Sequence, residues 1–256
     1  MSFLWDGEMY SNVSDIQATI GNELLSKTKI SESDFVLDAG CGAGNITFEI
    51  AEKASQGYII GIDSSVSMIE KCQEMILKRN IRNVEFFVSD ITEISYESTF
   101  DLIFSNSVFH WIKESKKALE LLLKALKPDG TISIQFPLLN ENHPLINYTN
   151  RVIEKLNFND VYSNWSFPWY VPAKHDYETL LAEVGFRDIV IEEVKRTYKF
   201  DSASHLCAFF DSVGLQIYLD ILQNEQVELF RKTLLMLVTE SSLEFSFERL
   251  FAFGKK

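Results

Sequence analysis

Apolar residues between positions 34 and 136 form short uninterrupted runs, separated by longer stretches with helical periodicity. The short runs are rich in β-branched and aromatic residues, which favour β-strands. They predict five strands, at residues 35–38, 58–62, 84–88, 100–104 and 131–136. Strands that are apolar along their whole length must be covered on both faces, so the pattern predicts a mostly parallel sheet.

The stretches between these strands predict helices at residues 45–54, 65–79 and 116–126. The last helix leads into residues 127–130, Lys-Pro-Asp-Gly, which predict a turn because proline fixes φ and glycine tolerates a positive φ. Alternating strands and helices are typical of a doubly wound α/β fold. We therefore expect a Rossmann-like, mostly parallel seven-stranded sheet with helices on both faces.

The pattern changes after Pro137, where residues 138–173 are rich in aromatic and polar side chains and show no clean periodicity. This stretch fits either an irregular packed excursion or a cover over the carboxyl ends of the strands, where open α/β sheets bind ligands. We favour the cover. Beyond it, the sequence predicts helices at 176–184, 202–210 and 223–238, and strands at 187–194 and 245–253.

These elements suggest one domain over residues 1–256. We divide it into four parts: an amino-terminal closing segment (1–30), a core (31–137), a substrate cover (138–175) and the carboxyl-terminal helices and last strands (176–256). A single core of this kind leads us to expect a monomer.

Composition limits the possible partners. The 256 residues include 24 Lys and Arg against 37 Asp and Glu, a formal net charge of −13. Such a chain is poorly suited to binding nucleic acid or an anionic membrane, because phosphate contacts require basic residues. The three cysteines form no CxxC pair, and the amino terminus shows no signal-peptide pattern, so we expect a cytoplasmic protein that binds a small molecule.

The strongest chemical signal is the glycine loop that follows the first predicted strand. Asp38 precedes Gly40, Gly42 and Gly44, and the next helix begins at Asn45. Glycines there allow a sharp turn and close approach of a ligand to the backbone, and the helix offers free N–H groups. A dinucleotide-binding fingerprint would need glycine at position 45, which disfavours a nicotinamide-dependent oxidoreductase.

Polar residues also follow the next three strands. Asp63 ends the second strand, Asp90 follows the third, and Ser105 and Asn106 end the fourth. A carboxylate at the end of the second strand can accept hydrogen bonds from ribose hydroxyls. Taken singly, Asp38 and Asp63 fit turn or helix capping as well as ligand binding. Their combination favours ligand binding.

This set of residues resembles the class I S-adenosylmethionine-dependent methyltransferases, whose glycine loop follows an acidic residue and whose second and third strands end in acidic residues. A narrower likeness, to the trans-aconitate methyltransferase group, extends almost end to end. It is carried by Trp5, Tyr10, Ser105-Asn106 with Trp111, Ile134 to Pro137, Arg196 to Tyr198, and the helix containing Asn224 to Phe230. Malonyl-acyl-carrier-protein and juvenile hormone acid methyltransferases look similar, and all three groups methylate carboxylates.

The resemblance implies S-adenosylmethionine as cofactor. It implies that Asp38 and the loop hold the methionyl end, Asp63 the ribose and Asp90 with Ile91 the adenine, while Tyr10 and Gln17 close the site. The full implied cofactor set is Tyr10, Gln17, Asp38, Gly40, Cys41, Gly42, Gly44, Asn45, Asp63, Ser64, Met68, Asp90, Ile91, Ser105 and Asn106.

Methyl transfer to a carboxylate needs no general base, because the acceptor is already ionised at neutral pH. Among the implied catalytic residues Tyr10, His110 and Trp111, the role of His110 stays open. It fits a buried core histidine, a group that hydrogen-bonds the acceptor, or a general base near neutral pH. Trp111 fits a pocket wall that contacts the substrate. The other histidines lack metal-ligand spacing, so we expect no metal.

An anionic acceptor would need a cation, since the protein is strongly acidic. Arg151, Lys174 and Arg196 lie in or after the cover, and arginine can bind a carboxylate through two parallel hydrogen bonds. We predict Arg151 and Arg196 as substrate-binding residues, although each also fits a solvated surface charge.

The function we predict is methylation of a small carboxylate. Two alternatives stay open: an N- or O-methyltransferase that acts on a neutral metabolite with His110 as base, and a module that binds S-adenosylmethionine without turnover.

Overall fold

The computed structural model describes residues 19–139 and 143–256. A helix, α1, occupies residues 19–27 of this part. The remaining elements, in chain order, are β1 (Phe35–Ala39), α2 (Asn45–Lys53), β2 (Tyr58–Asp63), α3 (Val66–Arg79), β3 (Val84–Val88), β4 (Phe100–Asn106), α4 (Ser115–Ala125), β5 (Leu126–Leu138), α5 (Pro144–Lys155), α6 (Lys174–Val184), β6 (Arg187–Lys199), α7 (Ala203–Val213), α8 (Gln216–Leu219), α9 (Asn224–Thr239) and β7 (Glu244–Lys255). Short 3-10 turns cover Ile91–Glu93 and Phe109–Trp111.

The seven strands form one sheet in the order β3-β2-β1-β4-β5-β7-β6. The pairs β1–β2, β1–β4, β2–β3 and β4–β5 are parallel. The strand β7 runs against β5, because the Lys256 amide donates to the Gly130 carbonyl while Arg249 contacts Gln135 farther along β5. The predicted mostly parallel, seven-stranded, Rossmann-like sheet is confirmed.

The chain divides into two compact units. Within the described residues, the core unit comprises 19–137, 169–194 and 249–256, and the second unit comprises 138–168 and 195–248. In the core unit, Val36, Phe104 and Phe251 of the sheet pack with Leu24 of α1 and Ile69 of α3. The second unit has its own apolar cluster, built from α5, α7, α9 and the start of β7.

The helix α5 corrects the sequence analysis, which found no periodicity in this stretch. Leu145, Tyr148, Thr149, Val152 and Ile153 are all buried on one face of α5, at the spacing of an amphipathic helix. Pro144 stands in its first turn, where proline is well tolerated. The aromatic residues that follow α5 obscured a pattern only three turns long.

Two strands also extend beyond their predicted limits. The strand β5 begins at Leu126 and takes in the predicted turn as a bulge, since Phe100 pairs with Leu126 and Leu102 pairs with Thr131. Asp129 has φ +63° in this bulge. The strand β6 continues five residues past 194, to Lys199, and in this part Lys195 and Thr197 contact Glu248 and Ser246 of β7.

The described ranges contain no helix that is both long enough and apolar enough to cross a bilayer.

Candidate active site

The glycine loop between β1 and α2 is held against β2. The amides of Gly40 and Cys41 both donate to the Ile62 carbonyl, at 2.8 and 2.9 Å. Gly40, Gly42 and Gly44 all have positive φ, at 83°, 53° and 81°. Gly44 is also the residue that precedes α2, and no side chain caps that helix end. The loop therefore exposes backbone groups at the amino terminus of α2, as the sequence predicts.

The loop glycines at positions 40 and 42 have different surroundings. A Cβ atom added to Gly40 would lie 2.2 Å from Cγ2 of Val108, whereas one added to Gly42 would have no heavy atom within 4 Å. The space over Gly42 is therefore open. Packing against Val108 requires glycine at position 40, whereas the backbone at Gly42 borders open space.

This contrast predicts different defects for two alanine variants. Gly40→Ala should lower the free energy of unfolding by roughly 2–4 kcal/mol, because a clash adds to the strain of positive φ. Gly42→Ala should cost only about 1–2 kcal/mol of strain yet weaken S-adenosylmethionine binding, since its methyl group enters this open space. Urea unfolding and calorimetric titration of both variants measure the two effects. Equal stability losses with unchanged binding in Gly42→Ala would contradict this interpretation.

Asp38 lies at the end of β1 beneath the loop and is almost fully buried. The Thr47 hydroxyl donates to its Oδ2 at 2.6 Å. Burial raises the pKa of Asp38 to about 7, against the opposing effect of the Thr47 bond, and the nearby charge of Asp63 raises it further. A cation placed at this carboxylate would stabilise its ionised form.

Asp63 connects the loop to α3. Its Oδ2 accepts the Gly42 amide and its Oδ1 accepts the Ser65 amide, both at 2.9 Å. Ser65, not Asp63, caps α3 through its own hydroxyl, which accepts the Met68 amide at 3.4 Å. Asp63 therefore fixes the loop, and each of its carboxylate oxygens keeps a further lone pair for a ligand.

Asp90 follows β3 and caps the short turn at Ile91–Glu93. Its Oδ1 accepts both the amide and the hydroxyl of Thr92, each at 2.7 Å. The next residue, Ile91, is buried. The pair thus offers one polar and one apolar side chain beside the end of β3.

A cavity of about 330 Å³ joins these elements within the core unit. Six predicted site residues line it: Gly40, Asp63, Ser64, Asp90, Ile91 and Trp111. Ser89, Thr92, Val108 and residues 112–114 complete its wall. Carboxylates at one side and apolar walls at Ile91, Val108 and Trp111 suit a nucleoside, which carries hydroxyl donors and a flat base. The residues present therefore fit the adenosine portion of the implied cofactor.

Cys41 and Cys72 meet behind the loop. The Cys72 thiol donates to the Gly42 carbonyl at 3.2 Å, and the Cys41 thiol approaches the same oxygen at 3.7 Å. A hydrogen bond with Cys72, together with burial, raises the pKa of Cys41 well above its usual range. Cys41 is therefore a neutral thiol, consistent with a packing role in the loop.

His110, Trp111 and Trp169 form an aromatic cluster, of which Trp111 also lines the cavity. The Trp169 ring meets His110 and Trp111 edge-on, at centroid distances of 4.4 and 4.7 Å. The His110 carbonyl accepts the Tyr170 amide at 2.9 Å, which fixes the turn. Burial, and then the charge of Arg249, lower the pKa of His110 to about 3. The imidazole is neutral at pH 7 and a weak base.

Ser105 and Asn106 end β4 in different environments. Ser105 is fully buried, and its hydroxyl donates to the Ala39 carbonyl at 2.8 Å, which ties β4 to the end of β1. Asn106 is half-buried, and its Oδ1 has no hydrogen-bond partner among the described residues. Asn106 thus offers a group to a ligand, whereas Ser105 supports the loop from within.

The sequence analysis missed Arg249, a residue of β7 in the core unit. Its Nη2 donates to Ser107 Oγ at 2.5 Å and to Gln135 Oε1 at 3.0 Å. A signal was present: Arg249 interrupts the alternating series Phe245, Phe247, Arg249, Phe251 and Phe253 along a predicted strand. A charged residue in the middle of an apolar series is a candidate for function.

Four predicted residues lie either outside the described part of the chain or in the second unit. Tyr10 and Gln17 lie outside the described residues. Arg151 and Arg196 belong to the second unit, where Arg151 lies 4.9 Å over the Tyr148 ring and Arg196 donates to the Lys195 carbonyl. Asn45 and Met68 stand in the first turns of α2 and α3. Across residues 19–139 and 143–256, no group of three metal-ligating side chains is close enough to hold a metal ion.

A doubly wound sheet with a glycine loop, a carboxylate after β2 and a nucleoside-sized cavity defines a Rossmann-like cofactor-binding protein. A family model described as a methyltransferase domain matches residues 30–185, more than half of the chain. The chain belongs to this family, and it is a class I S-adenosylmethionine-dependent methyltransferase, an enzyme.

Relatives of known name agree with this assignment. The chain is 30% identical over 133 residues to a trans-aconitate 2-methyltransferase of Azoarcus, covering 52% of this chain and 51% of that protein. It is 26% identical over 237 residues to the Escherichia coli O157:H7 protein of the same name, covering 88% and 85%. The first alignment thus spans about half the length of the relative.

Solved structures share the fold at lower identity. The YcgJ protein of Bacillus subtilis superposes with a TM-score of 0.65 at 14% identity, covering 93% of this chain and 98% of that one. A Bacillus halodurans protein described as a putative methyltransferase gives 0.63 at 15% identity, covering 93% and 99%.

Proposed function

We propose that this methyltransferase methylates a carboxylate of a small-molecule acceptor and forms a methyl ester. The supporting observation is the state of His110, whose pKa is lowered to about 3 by burial and by Arg249. A hydroxyl or ammonium acceptor must lose a proton, and a base this weak accepts one poorly at pH 7. A carboxylate with an ordinary pKa is already ionised and needs no base.

The cofactor supplies an electrophilic methyl group on a sulfonium sulfur. We infer that Asp38 faces its methionyl ammonium, Asp63 its ribose hydroxyls and Asp90 with Ile91 its adenine. The unshared lone pairs of Asp63 and the raised pKa of Asp38 support these assignments. Each residue then binds the part of the cofactor whose charge or hydrogen bonding complements it.

In the reaction, residues of this chain would align the two reactants and exclude water from the site. Well-oriented reactants can lower a barrier by up to about 7–11 kcal/mol. Asn106 ends β4, and the rings of His110, Trp111 and Trp169 pack on one another, with Trp111 lining the cavity. In this proposal, these groups orient the acceptor oxygen, and no residue transfers a proton to or from it.

Relatives narrow the acceptor class within this proposal. Proteins of Azoarcus and Escherichia coli that align with the chain are named for trans-aconitate, a small tricarboxylate. We therefore propose a small polycarboxylate, with trans-aconitate as the first compound to test. The net charge of −13 disfavours nucleic-acid and anionic-membrane partners, and we keep a cytoplasmic monomer as part of the proposal.

The pH dependence of turnover tests the absence of a base. With both substrates saturating, kcat should stay within about twofold between pH 6.5 and 8.5, because the acceptor is ionised and His110 is neutral throughout. His110→Asn should lower kcat at every pH without changing the shape of the profile. His175→Asn, an exchange at an exposed position on α6, is the matched control.

A kcat that rises tenfold per pH unit below neutrality, and that loses this slope in His110→Asn, would contradict the proposal. That result would favour the alternative of a neutral N- or O-acceptor with His110 as base.

A further inference from the structure

Two cysteine thiols meet at the backbone of the glycine loop in the core unit. Cys41 belongs to the loop, and Cys72 lies in the middle of α3. Their sulfur atoms lie 3.7 and 3.2 Å from the same atom, the Gly42 carbonyl oxygen, and a hydrogen bond joins the two thiols. The fold thus places a pair of thiols beside the residues that surround the cofactor cavity.

The packing around this pair keeps the two side chains together. A Cβ atom added to Gly44 would lie 3.0 Å from Sγ of Cys72, and one added to Gly61 would lie 3.2 Å from Cβ of Cys41. Cys72 is completely buried, whereas Cys41 is partly exposed. A small reagent therefore reaches the pair from the side of Cys41.

The hydrogen bond gives the two thiols different chemical characters. The bond from Cys41 lowers the pKa of Cys72, against the opposing effect of burial, and it raises the pKa of Cys41 well above its usual range. The thiolate is the nucleophilic form of cysteine. Cys72 is therefore the sulfur suited to react first, and Cys41 is the neighbouring thiol that can react with the product.

We infer that Cys41 and Cys72 form a modification site, which hydrogen peroxide oxidises to a disulfide that disables the glycine loop. The Cys72 sulfur attacks the O–O bond and keeps one oxygen as a sulfenic acid, while the other oxygen leaves as water. The Cys41 sulfur then displaces the hydroxyl group, an S–S bond forms, and the hydroxyl leaves with the Cys41 proton as a second water. The two sulfurs lose two electrons, and the peroxide gains them.

The disulfide would disturb the loop at the atoms that hold it. Oxidised Cys72 can no longer donate to the Gly42 carbonyl, and the Cys41 side chain is drawn towards α3. The Gly42 amide is bound to Asp63, which lines the cavity, so a shift of Gly42 also acts on that carboxylate. We expect oxidation to weaken cofactor binding by about tenfold or more, since a lost hydrogen bond adds to strain in the loop.

The covalent product is identified first. The protein without cofactor is treated with hydrogen peroxide, its remaining thiols are blocked with N-ethylmaleimide, and tryptic peptides are weighed. We expect a Cys41–Cys72 linked peptide that has lost two hydrogens and that dithiothreitol separates. Cys207, on α7 in the second unit, should be recovered as a blocked thiol.

Variants show whether the pair controls cofactor binding. The Kd for S-adenosylhomocysteine is measured by calorimetric titration before and after peroxide, and each protein is compared with its own untreated sample. In the wild type and in the control Cys207→Ala, peroxide should raise this Kd by about tenfold or more, and dithiothreitol should restore it. Cys72→Ala should show no such rise. In Cys41→Ala, the sulfenic acid on Cys72 has no thiol partner, so dimedone should trap it.

Three results would overturn the inference. The first is the absence of the linked peptide, and the second is a linked peptide that leaves the Kd for S-adenosylhomocysteine unchanged. The third is a loss of affinity that persists in Cys72→Ala, because it would place the oxidative damage elsewhere. The acceptor does not enter these measurements, so carboxylate methylation and this modification site can fail independently.

Discussion

Asp63→Ala should weaken S-adenosylmethionine binding by roughly 100-fold or more. Asp63 fixes the loop through the Gly42 amide and α3 through the Ser65 amide, while its remaining lone pairs face the cavity. Two hydrogen bonds from ribose hydroxyls to a carboxylate, each contributing about 1.5–3 kcal/mol, account for an effect of this size. Isothermal titration with S-adenosylmethionine measures it directly.

Asp34→Ala is the matched control for this variant. Asp34 also accepts a backbone amide, that of Ser31 at 2.8 Å, but it does not line the cavity. Asp34→Ala should lower the free energy of unfolding and leave the affinity for S-adenosylmethionine unchanged. If Asp63→Ala changed the Kd no more than Asp34→Ala does, then Asp63 would only hold the loop in place and would not bind the ligand.

Asp38→Asn should have opposite effects on stability and on cofactor binding. Burial raises the pKa of Asp38 to about 7 in the folded protein, from 3.8 for an unperturbed carboxyl. The folded state therefore binds a proton more tightly than the unfolded state, and stability falls as pH rises between about 4 and 7. Asparagine carries no such charge and still accepts the Thr47 hydroxyl.

Without cofactor, Asp38→Asn should be more stable than the wild type at pH 8, by on the order of a few kcal/mol, with the gain vanishing near pH 4. Its affinity for S-adenosylmethionine should fall at least tenfold, because the methionyl ammonium loses its counter-charge. Urea unfolding at pH 4 and pH 8 gives the change in the free energy of unfolding, and calorimetric titration at pH 8 gives the change in affinity for S-adenosylmethionine. A variant that is less stable at pH 8, or that binds the cofactor as tightly as the wild type, would contradict this role.

Local sequence patterns were sufficient to predict where the acidic residues around the loop lie in the fold. Asp38, Asp63 and Asp90 each follow a parallel strand, and parallel strands place their carboxyl ends at one edge of the sheet. The register of β1 on β2 brings Asp38 opposite Gly61, two residues before Asp63. The position of each aspartate after its strand was therefore enough to predict where it lies in the fold.

The parts that the sequence did not predict depend on contacts between distant segments. Arg249 reaches Ser107 and Gln135 only because β7 lies beside β5, an order set by packing across more than a hundred residues. Trp169 meets His110 for a similar reason. The bulge in β5 depends on the pairing of Phe100 with Leu126, and on Lys127, which lies 2.7 Å from Asp101. No short window of sequence contains these partners.

Base lability of the methylated product tests the central claim most directly. The enzyme is incubated with methyl-labelled S-adenosylmethionine and a panel of polycarboxylates, monocarboxylates, amines and phenols, and each labelled product is treated with mild base. The account predicts labelling of polycarboxylates and release of the label as methanol, the behaviour of a methyl ester. Label that survives base, on an amine or phenol acceptor, would contradict it.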